Sequence, residues 1–543
     1  MPRQITRLFL STVLFSLLTS GCSYIRQSET DQQPNPNASD IVIATAGTSA
    51  LVRRFENDIA RALVLRTEEL ATTLIFSKQD LTQQLKDLDY TLQQFSKLDT
   101  TLLNSKYKPL LHRLRMRSIS LHQQLNNWEQ RNHMTALLRM IPPQSFVFHS
   151  SDKIQDIKFQ TLKIPEVLTS LKSDINRNNN RGKNYAISNV HYCEILGRKD
   201  NNLILDRYQQ ILSYSDLDVQ AQKNDYRNFK TTVNEQVIPA IINFCSFLRI
   251  RSNDTSYKEE ANTISKIPLL LSENSRLSLT NAITQIDKKL IELNPQSSLR
   301  ELYDRHVKAS LNQDQISLDQ ITQIVADLHY GLERWFIKPL NREVLIAASD
   351  QIEPSPFYFK SNTAFFDLTL VSALPVFELE TLAYLYTIPG VHMLAYNTTE
   401  QEDQLWRAYA SAWSIYALSL PEQPDYYTHS FSRIAVQSRK KFAMIMALTD
   451  INLSENKWSI DQAKNYLYEN SPYPMALIAR EITHLVSSPN EAMKAWMISE
   501  ALEKLWRLDH GLTRAEFNDR LLTYSPANLE FLENEMPIII LSK

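Results

Sequence analysis

A mainly α-helical fold is predicted for this chain of 543 residues on three grounds. Apolar side chains recur at three- and four-residue spacing through most of its length, the period of an amphipathic helix. Glycine is scarce: the chain holds 7, where average usage of roughly 7% would supply about 38. Sandwiches, propellers and hairpin-rich barrels need many left-handed turns, so scarce glycine disfavours them. Strand-like stretches are also few. Phe357-Tyr358-Phe359 and residues 365–371 are the best, and a minor β element is expected there. A composition of 43% hydrophobic and 22% charged residues is that of a globular protein, and a net charge of −2 provides no basic field for nucleic acid.

The N-terminus reads as an export signal. Arg3 and Arg7 precede an apolar stretch, 8–18, that is too short to span a bilayer. It ends Leu18-Thr19-Ser20-Gly21-Cys22, which resembles the bacterial lipobox, in which small residues precede a Cys that is diacylated on sulfur and becomes the mature N-terminus. Cys22 is therefore the candidate lipidation site, with 1–21 as signal peptide; an ordinary secretory signal with a chance Cys is the alternative. Residues 22–50, rich in Gln, Asn, Pro and Ser, have the composition of a flexible tether. Ser23, in place of Asp, points to the outer membrane, with the body facing the periplasm. No later apolar run reaches about 18 residues, so membrane contact is expected through lipid alone. The remaining thiols are Cys193 and Cys245. In an oxidising compartment they can pair, or stay as two isolated buried thiols, and their spacing does not decide between these.

Two regions follow the tether, an N-terminal helical region at 51–225 and a C-terminal domain at 226–543. In the first, long amphipathic helices are expected over 51–139. Phe55, Ile59, Leu63 and Leu70, and then Leu81, Leu85, Leu88 and Leu92, form their apolar faces. The basic run from His112 to Arg117 reads as a solvated helix face. Pro142-Pro143 breaks this region, and 176–184 is a polar loop. Further helices are expected at 203–212, 226–248, 277–293, 317–337, 377–385, 404–420, 430–448, 460–468, 473–486, 491–505 and 514–522. Ser459 with Gln462, and Thr513 with Glu516, have the spacing of capping boxes.

Catalytic signatures are absent. No H-E-x-x-H, C-x-x-C, G-x-S-x-G, G-x-G-x-x-G or P-loop occurs, and no two of the 11 histidines stand at i, i+4. Two features stand out: the turn Pro389-Gly390-Val391-His392, and the aromatic face Trp406, Tyr409, Trp413, Tyr416. The aromatic face reads as core packing, with a ligand groove as the alternative.

These stretches resemble the bacterial family catalogued as domain of unknown function 885. The likeness runs from about Tyr226 to Met536, and more faintly back to Leu51. Family chains carry a segment like H-E-x-x-P-G-H-H, then E-G-W-A-x-Y, then D-T-G-x-H-x-x-x-W-[ST]-x-x-x-A, then E-V-x-R-Y-x-x-x-P-x-Q-A. Here the first is matched by Leu385-Tyr386-Thr387-Ile388-Pro389-Gly390-Val391-His392 and the second by Ser411-Ala412-Trp413-Ser414-Ile415-Tyr416. The third is matched by Asp450 to Ser454 with Trp458, Ser459 and Ala463, and the fourth by Glu481 to Leu485 with Pro489, Glu491 and Ala492. A terminal segment matches from Phe517 to Glu533. The resemblance implies a two-lobed helical fold around a deep cleft, similar to helical zinc metallopeptidases.

The metal-bearing positions depart from that pattern. Leu385 and Tyr386 stand in place of His-Glu, Val391 in place of the first of two paired histidines, Ser411 in place of Glu, Ser454 in place of His and His484 in place of Arg. A hydrolytic zinc site needs about three protein ligands and an open position for water, and this set does not supply them. No metal and no cofactor are therefore expected. What persists is turn and packing chemistry, with Asn452 and Asn490 where the family commonly has Gly. The expected function is that of an envelope lipoprotein with a catalytically degenerate domain, a pseudoenzyme binding a peptide, a glycan or a protein partner. One alternative is an active hydrolase with a rebuilt site, whose candidate catalytic residues are His392, His484, Glu481 and Asp450. Another is an assembly factor of the envelope, docking through the 51–139 helices.

Overall fold

The structure is a computed structural model. It describes residues 78–96, 107–126, 140–142, 150–177, 196, 202–252, 269–310, 318–329, 331–338, 343–349, 355–360, 362–397, 404–420, 429–455 and 457–541. Cys22, Cys193, the tether and the helices expected before residue 78 lie outside these. Helices dominate, as the spacing of apolar residues predicts.

Helices α1 (Lys78–Ser96) and α2 (Tyr107–Asn126) pair along their length. Leu81, Leu85 and Leu88 are buried on α1, and Asp89 accepts from Ser118 Oγ at 2.9 Å across the pair. The basic run on α2 is not a uniformly solvated face. His112 is buried, with its ring 3.8 Å from that of Phe531, and burial lowers its pKa to about 4. The correction comes from a tertiary contact far along the chain, which charge patterning cannot register.

A second apolar cluster is built by α3 (Ser151–Leu162), α4 (Ile164–Arg177), α5 (Leu203–Ser213), α6 (Val219–Thr232) and α7 (Ile238–Ser252). A π-helical turn, Val233–Val237, joins the last two. Ser150, Asn202 and Asp218 cap α3, α5 and α6 by accepting backbone N–H groups. Phe229, Val237, Phe244 and Leu248 share this cluster with Ile154, Leu168 and Tyr208, so it extends past the 225/226 boundary expected from the sequence. Cys245, buried in it, is disulfide-bonded.

The remaining described elements are α8 (Leu269–Leu293), α9 (Leu299–Ser310), α10 (Leu318–His329), a 3₁₀ turn at Leu332–Arg334, and strands β1 (Leu345–Ala348), β2 (Phe357–Lys360) and β3 (Thr363–Phe366). They continue as α11 (Leu368–Val371), α12 (Phe377–Tyr386), α13 (Val391–Asn397), α14 (Gln404–Ala417), α15 (Ser432–Ser454), α16 (Ile460–Asn470), α17 (Met475–Ser487), α18 (Glu491–Trp506), α19 (Arg514–Thr523), α20 (Leu529–Asn534) and α21 (Met536–Leu541). The three strands form one sheet in the order β1-β3-β2, with β1 parallel and β2 antiparallel to β3. Asn362, in the β2–β3 turn, has φ 64°, a conformation Asn tolerates better than most residues.

The strand expected at 365–371 is shorter than that. Asp367 accepts from Thr369 N and Leu370 N, at 3.1 and 3.3 Å, and so ends β3 and starts α11. Residues from α9 to α21 share the main core, in which Trp406, Tyr409, Trp413 and Tyr416 are all buried. α12 lies inside it, with every residue from Phe377 to Leu385 buried. Among the described residues no helix is long and apolar enough to cross a membrane.

Candidate functional site

The Pro-Gly turn sits between α12 and α13. The Ile388–Pro389 peptide is cis. Gly390 is pressed against the end of α12: a Cβ there would lie 2.1 Å from Leu385 O and 2.3 Å from Tyr384 O, so no other residue fits. Trp413 Nε1 donates to Pro389 O at 2.9 Å, and Ser414 Oγ to Leu385 O at 3.0 Å, which pins the turn to α14. His392 is fully buried on α13. Its Nε2 donates to Asn362 Oδ1 at 3.1 Å, and its ring packs 5.6 Å from that of Phe359.

A second group of motif residues meets where α17, α18, α14 and α15 come together. Asn490 takes a left-handed conformation, φ 66°, at the start of α18. Asp450 of α15 caps that helix, accepting from Asn490 N at 2.8 Å on one oxygen and from Met493 N at 3.1 Å on the other. Burial pushes the Asp450 carboxyl up to about 6, although both backbone N–H groups oppose this. Glu491 accepts from Arg407 Nε at 3.0 Å and faces His484 Nε2 at 3.4 Å. Burial would raise its pKa, but Arg407 and His484 together bring it to about 2. Burial would likewise lower the His484 pKa, yet the contact with Glu491 and the charge of Glu481 raise it. Glu481 lies 3.9 Å from His484 Nδ1, and burial raises its carboxyl.

Behind this corner a buried ionic network anchors α12 to α15. Glu378 accepts from Arg439 Nε at 3.0 Å and from Tyr473 at 2.9 Å, and also from the Tyr303 hydroxyl. The Arg439 guanidinium stacks 4.3 Å from the Tyr473 ring centroid and 5.9 Å from that of Phe357. Tyr386, at the end of α12, packs on Phe357 and Phe366, and burial followed by the charge of Glu481 raises its hydroxyl pKa.

Of the four candidates named from the sequence, Glu481, His484 and Asp450 share one electrostatic neighbourhood, whereas His392 hydrogen-bonds Asn362 in the β2–β3 turn. The others they engage, Arg407 and Arg439, carried no motif. The residues present do not fit the zinc that the resemblance implies. Leu385 and Val391 are buried in the apolar core, both Asp450 oxygens are occupied by backbone N–H groups, and Ser454 Oγ hydrogen-bonds Asp450 at 3.4 Å. Among the described residues no group of three or more His, Cys, Asp or Glu converges to hold a metal ion.

Fold and site together define a helical scaffold with a small sheet, a pinned Pro-Gly turn and a buried corner of carboxylates, imidazole and guanidinium groups. The chain belongs to the family described as bacterial protein of unknown function, DUF885, whose profile matches residues 60–536. Two solved structures share the fold. A protein of Colwellia psychrerythraea, described as a "putative lipoprotein", is 14% identical, with a TM-score of 0.67 over 92% of this chain and 100% of its own. One from Shewanella oneidensis, described in the same way and of unknown function, is 10% identical, with a TM-score of 0.56 over 88% of this chain and 98% of its own. No curated protein matches.

Proposed function

We propose that this protein is an envelope lipoprotein, anchored through lipid on Cys22 and facing the periplasm from the outer membrane. Its DUF885 domain keeps the family scaffold without a metal set, and it works by binding a peptide, glycan or protein. One observation carries the reading: the retained motif residues hold up the fold. Gly390 fits against α12, Trp413 donates to Pro389, Asp450 caps α18 and Asn490 turns into it. Of the positions with altered residues, Leu385 and Val391 lack ligand atoms, and Ser454 Oγ hydrogen-bonds Asp450. The disulfide at Cys245 suits an oxidising compartment.

Metal analysis of the purified full chain tests the loss of the metal set. Sub-stoichiometric zinc is expected, and near-stoichiometric zinc that is lost on His484→Ala or His392→Ala overturns the reading. Fractionation tests the anchor: the wild type stays with outer membranes and Cys22→Ser is released, while membrane retention of Cys22→Ser refutes lipidation there.

The contact of His484 with Glu481 and Glu491 favours a second reading, a metal-free hydrolase in which His484 acts as general base. It requires hydrolysis of peptide or ester libraries that survives chelators and disappears in His484→Ala.

A further inference from the structure

One cation near the end of the chain has aromatic neighbours and no anion. Arg514, the first residue of α19, holds its guanidinium 4.2 Å from the Trp506 ring centroid and 5.1 Å from that of Tyr416. Its buried Nη1 has no hydrogen-bond partner, and among the described residues no carboxylate pairs with it. Other arginines that lie on aromatic rings are engaged. Arg300, 4.0 Å from the Tyr468 ring centroid, donates to Tyr468 O and Ser471 O, and Arg439 donates to Glu378. Glu503, one turn before Trp506 on α18, accepts from Ser419, and the Tyr416 hydroxyl donates to Asn518 Oδ1 at 2.6 Å. A second donor meets the same indole. The His510 ring stands 5.2 Å from that of Trp506, and Phe517 completes a triangle at 5.2 Å from Trp506 and 5.1 Å from His510. His510 Nδ1 accepts from Leu512 N at 3.0 Å, so the neutral ring carries its proton on Nε2, a buried atom that also has no partner. Unmade hydrogen bonds are costly in buried groups, and native structures rarely leave them without a purpose. Trp506, His510 and Arg514 are half-buried, so this corner reaches the surface.

Both unmet groups are donors, so the ligand must bring acceptors. One fixed positive charge, with the Glu503 carboxylate a turn from Trp506, suits a monoanion better than a dianion. The Trp506 and Phe517 rings suit an apolar group next to that charge. We propose that Arg514 and His510, set against the Trp506 ring, bind an aromatic monocarboxylate, its carboxylate on the Arg514 guanidinium with His510 Nε2 as second donor, and its ring on the indole. This names a ligand class for the binding reading above and rests on it.

The test is calorimetric titration of the full chain with phenylacetate, a free acid, and with N-acetylphenylalanine, which mimics a peptide end. Each is compared with its amide, which lacks the charge, and with inorganic sulfate, which doubles the charge and lacks the ring. At least one acid is expected to bind, and its amide and sulfate to bind about tenfold more weakly or worse, as expected for a lost charge-assisted hydrogen bond. Whichever acid binds more tightly assigns the carboxylate to a free acid or to a peptide end. Arg514→Gln breaks no ion pair, and His510→Gln removes the second donor. Each should weaken binding by about tenfold with unchanged circular dichroism. If one variant misfolds, the other and the amide comparison decide. The proposal is overturned if neither acid binds, if the amide or sulfate binds as tightly as the acid, or if a folded variant binds like wild type. Zinc retention or hydrolysis would instead overturn the binding reading itself, so the two failures are told apart.

Discussion

Replacing Gly390 by Ala adds one methyl group at the tightest point of the fold. Its Cβ would sit 2.1 Å from Leu385 O and 2.3 Å from Tyr384 O, whereas real Cβ atoms essentially never come within 3.0 Å of such neighbours. The obstructing atoms are backbone at the end of a buried helix, so no side chain can swing aside. Relief requires the turn to move by about 1 Å, which strains the 2.9 Å bond from Trp413 Nε1 to Pro389 O and the 3.0 Å bond from His392 N to Thr387 O. Overpacking costs about 1–3 kcal/mol and a weakened hydrogen bond ~1 kcal/mol, so the expected destabilisation is about 2–4 kcal/mol. Urea unfolding followed by tryptophan fluorescence measures it. Gly511→Ala is the control. Gly511 has φ +64° and open space around its Cβ position, so only backbone strain of about 1 kcal/mol is expected there. A Gly390→Ala midpoint indistinguishable from wild type, or smaller than the shift of the control, would refute this account of the turn.

Trp413→Phe keeps the ring packing but removes the donor to Pro389 O, and should lower stability by about 1–3 kcal/mol in the same unfolding assay. Asp450 titrates near pH 6 in the fold against an ordinary 3.8, so the folded state holds the proton more tightly and stability falls as pH rises from about 4 through 6. That separation corresponds to ~3 kcal/mol. The gap between wild type and Asp450→Asn should therefore shift toward wild type by about that amount on going from pH 7 to pH 4, and a gap independent of pH counts against the assignment. Reducing the disulfide of Cys245 should destabilise the fold by about 2–4 kcal/mol, seen as a lower urea midpoint with dithiothreitol.

What could be read from the sequence was set by short-range physics. The capping boxes of Ser459 with Gln462 and Thr513 with Glu516 close within one helical turn, and both are present. The face of Trp406, Tyr409, Trp413 and Tyr416 is buried because helical spacing alone puts those rings on one side. Features that depend on distant partners were not legible. Arg439 meets Glu378 from 61 residues away, and Asp450 accepts from Asn490 N, 40 residues later, to cap α18, with no local signature for either. His112 looked like part of a wet basic face because its neighbour, Phe531, comes near the end of the chain. Asp367 looked like strand interior, yet its carboxylate starts a helix, a choice that spacing alone does not encode.

The burial of Leu385 and Val391 sets the cost of any polar side chain at those positions. With those two side chains packed in the main apolar cluster, an imidazole placed at either position would enter largely apolar surroundings, and any unmet polarity would destabilise the helix before an ion could offset it. A metal set at these positions would therefore demand several simultaneous substitutions, each paying for buried polarity before the last ligand is in place.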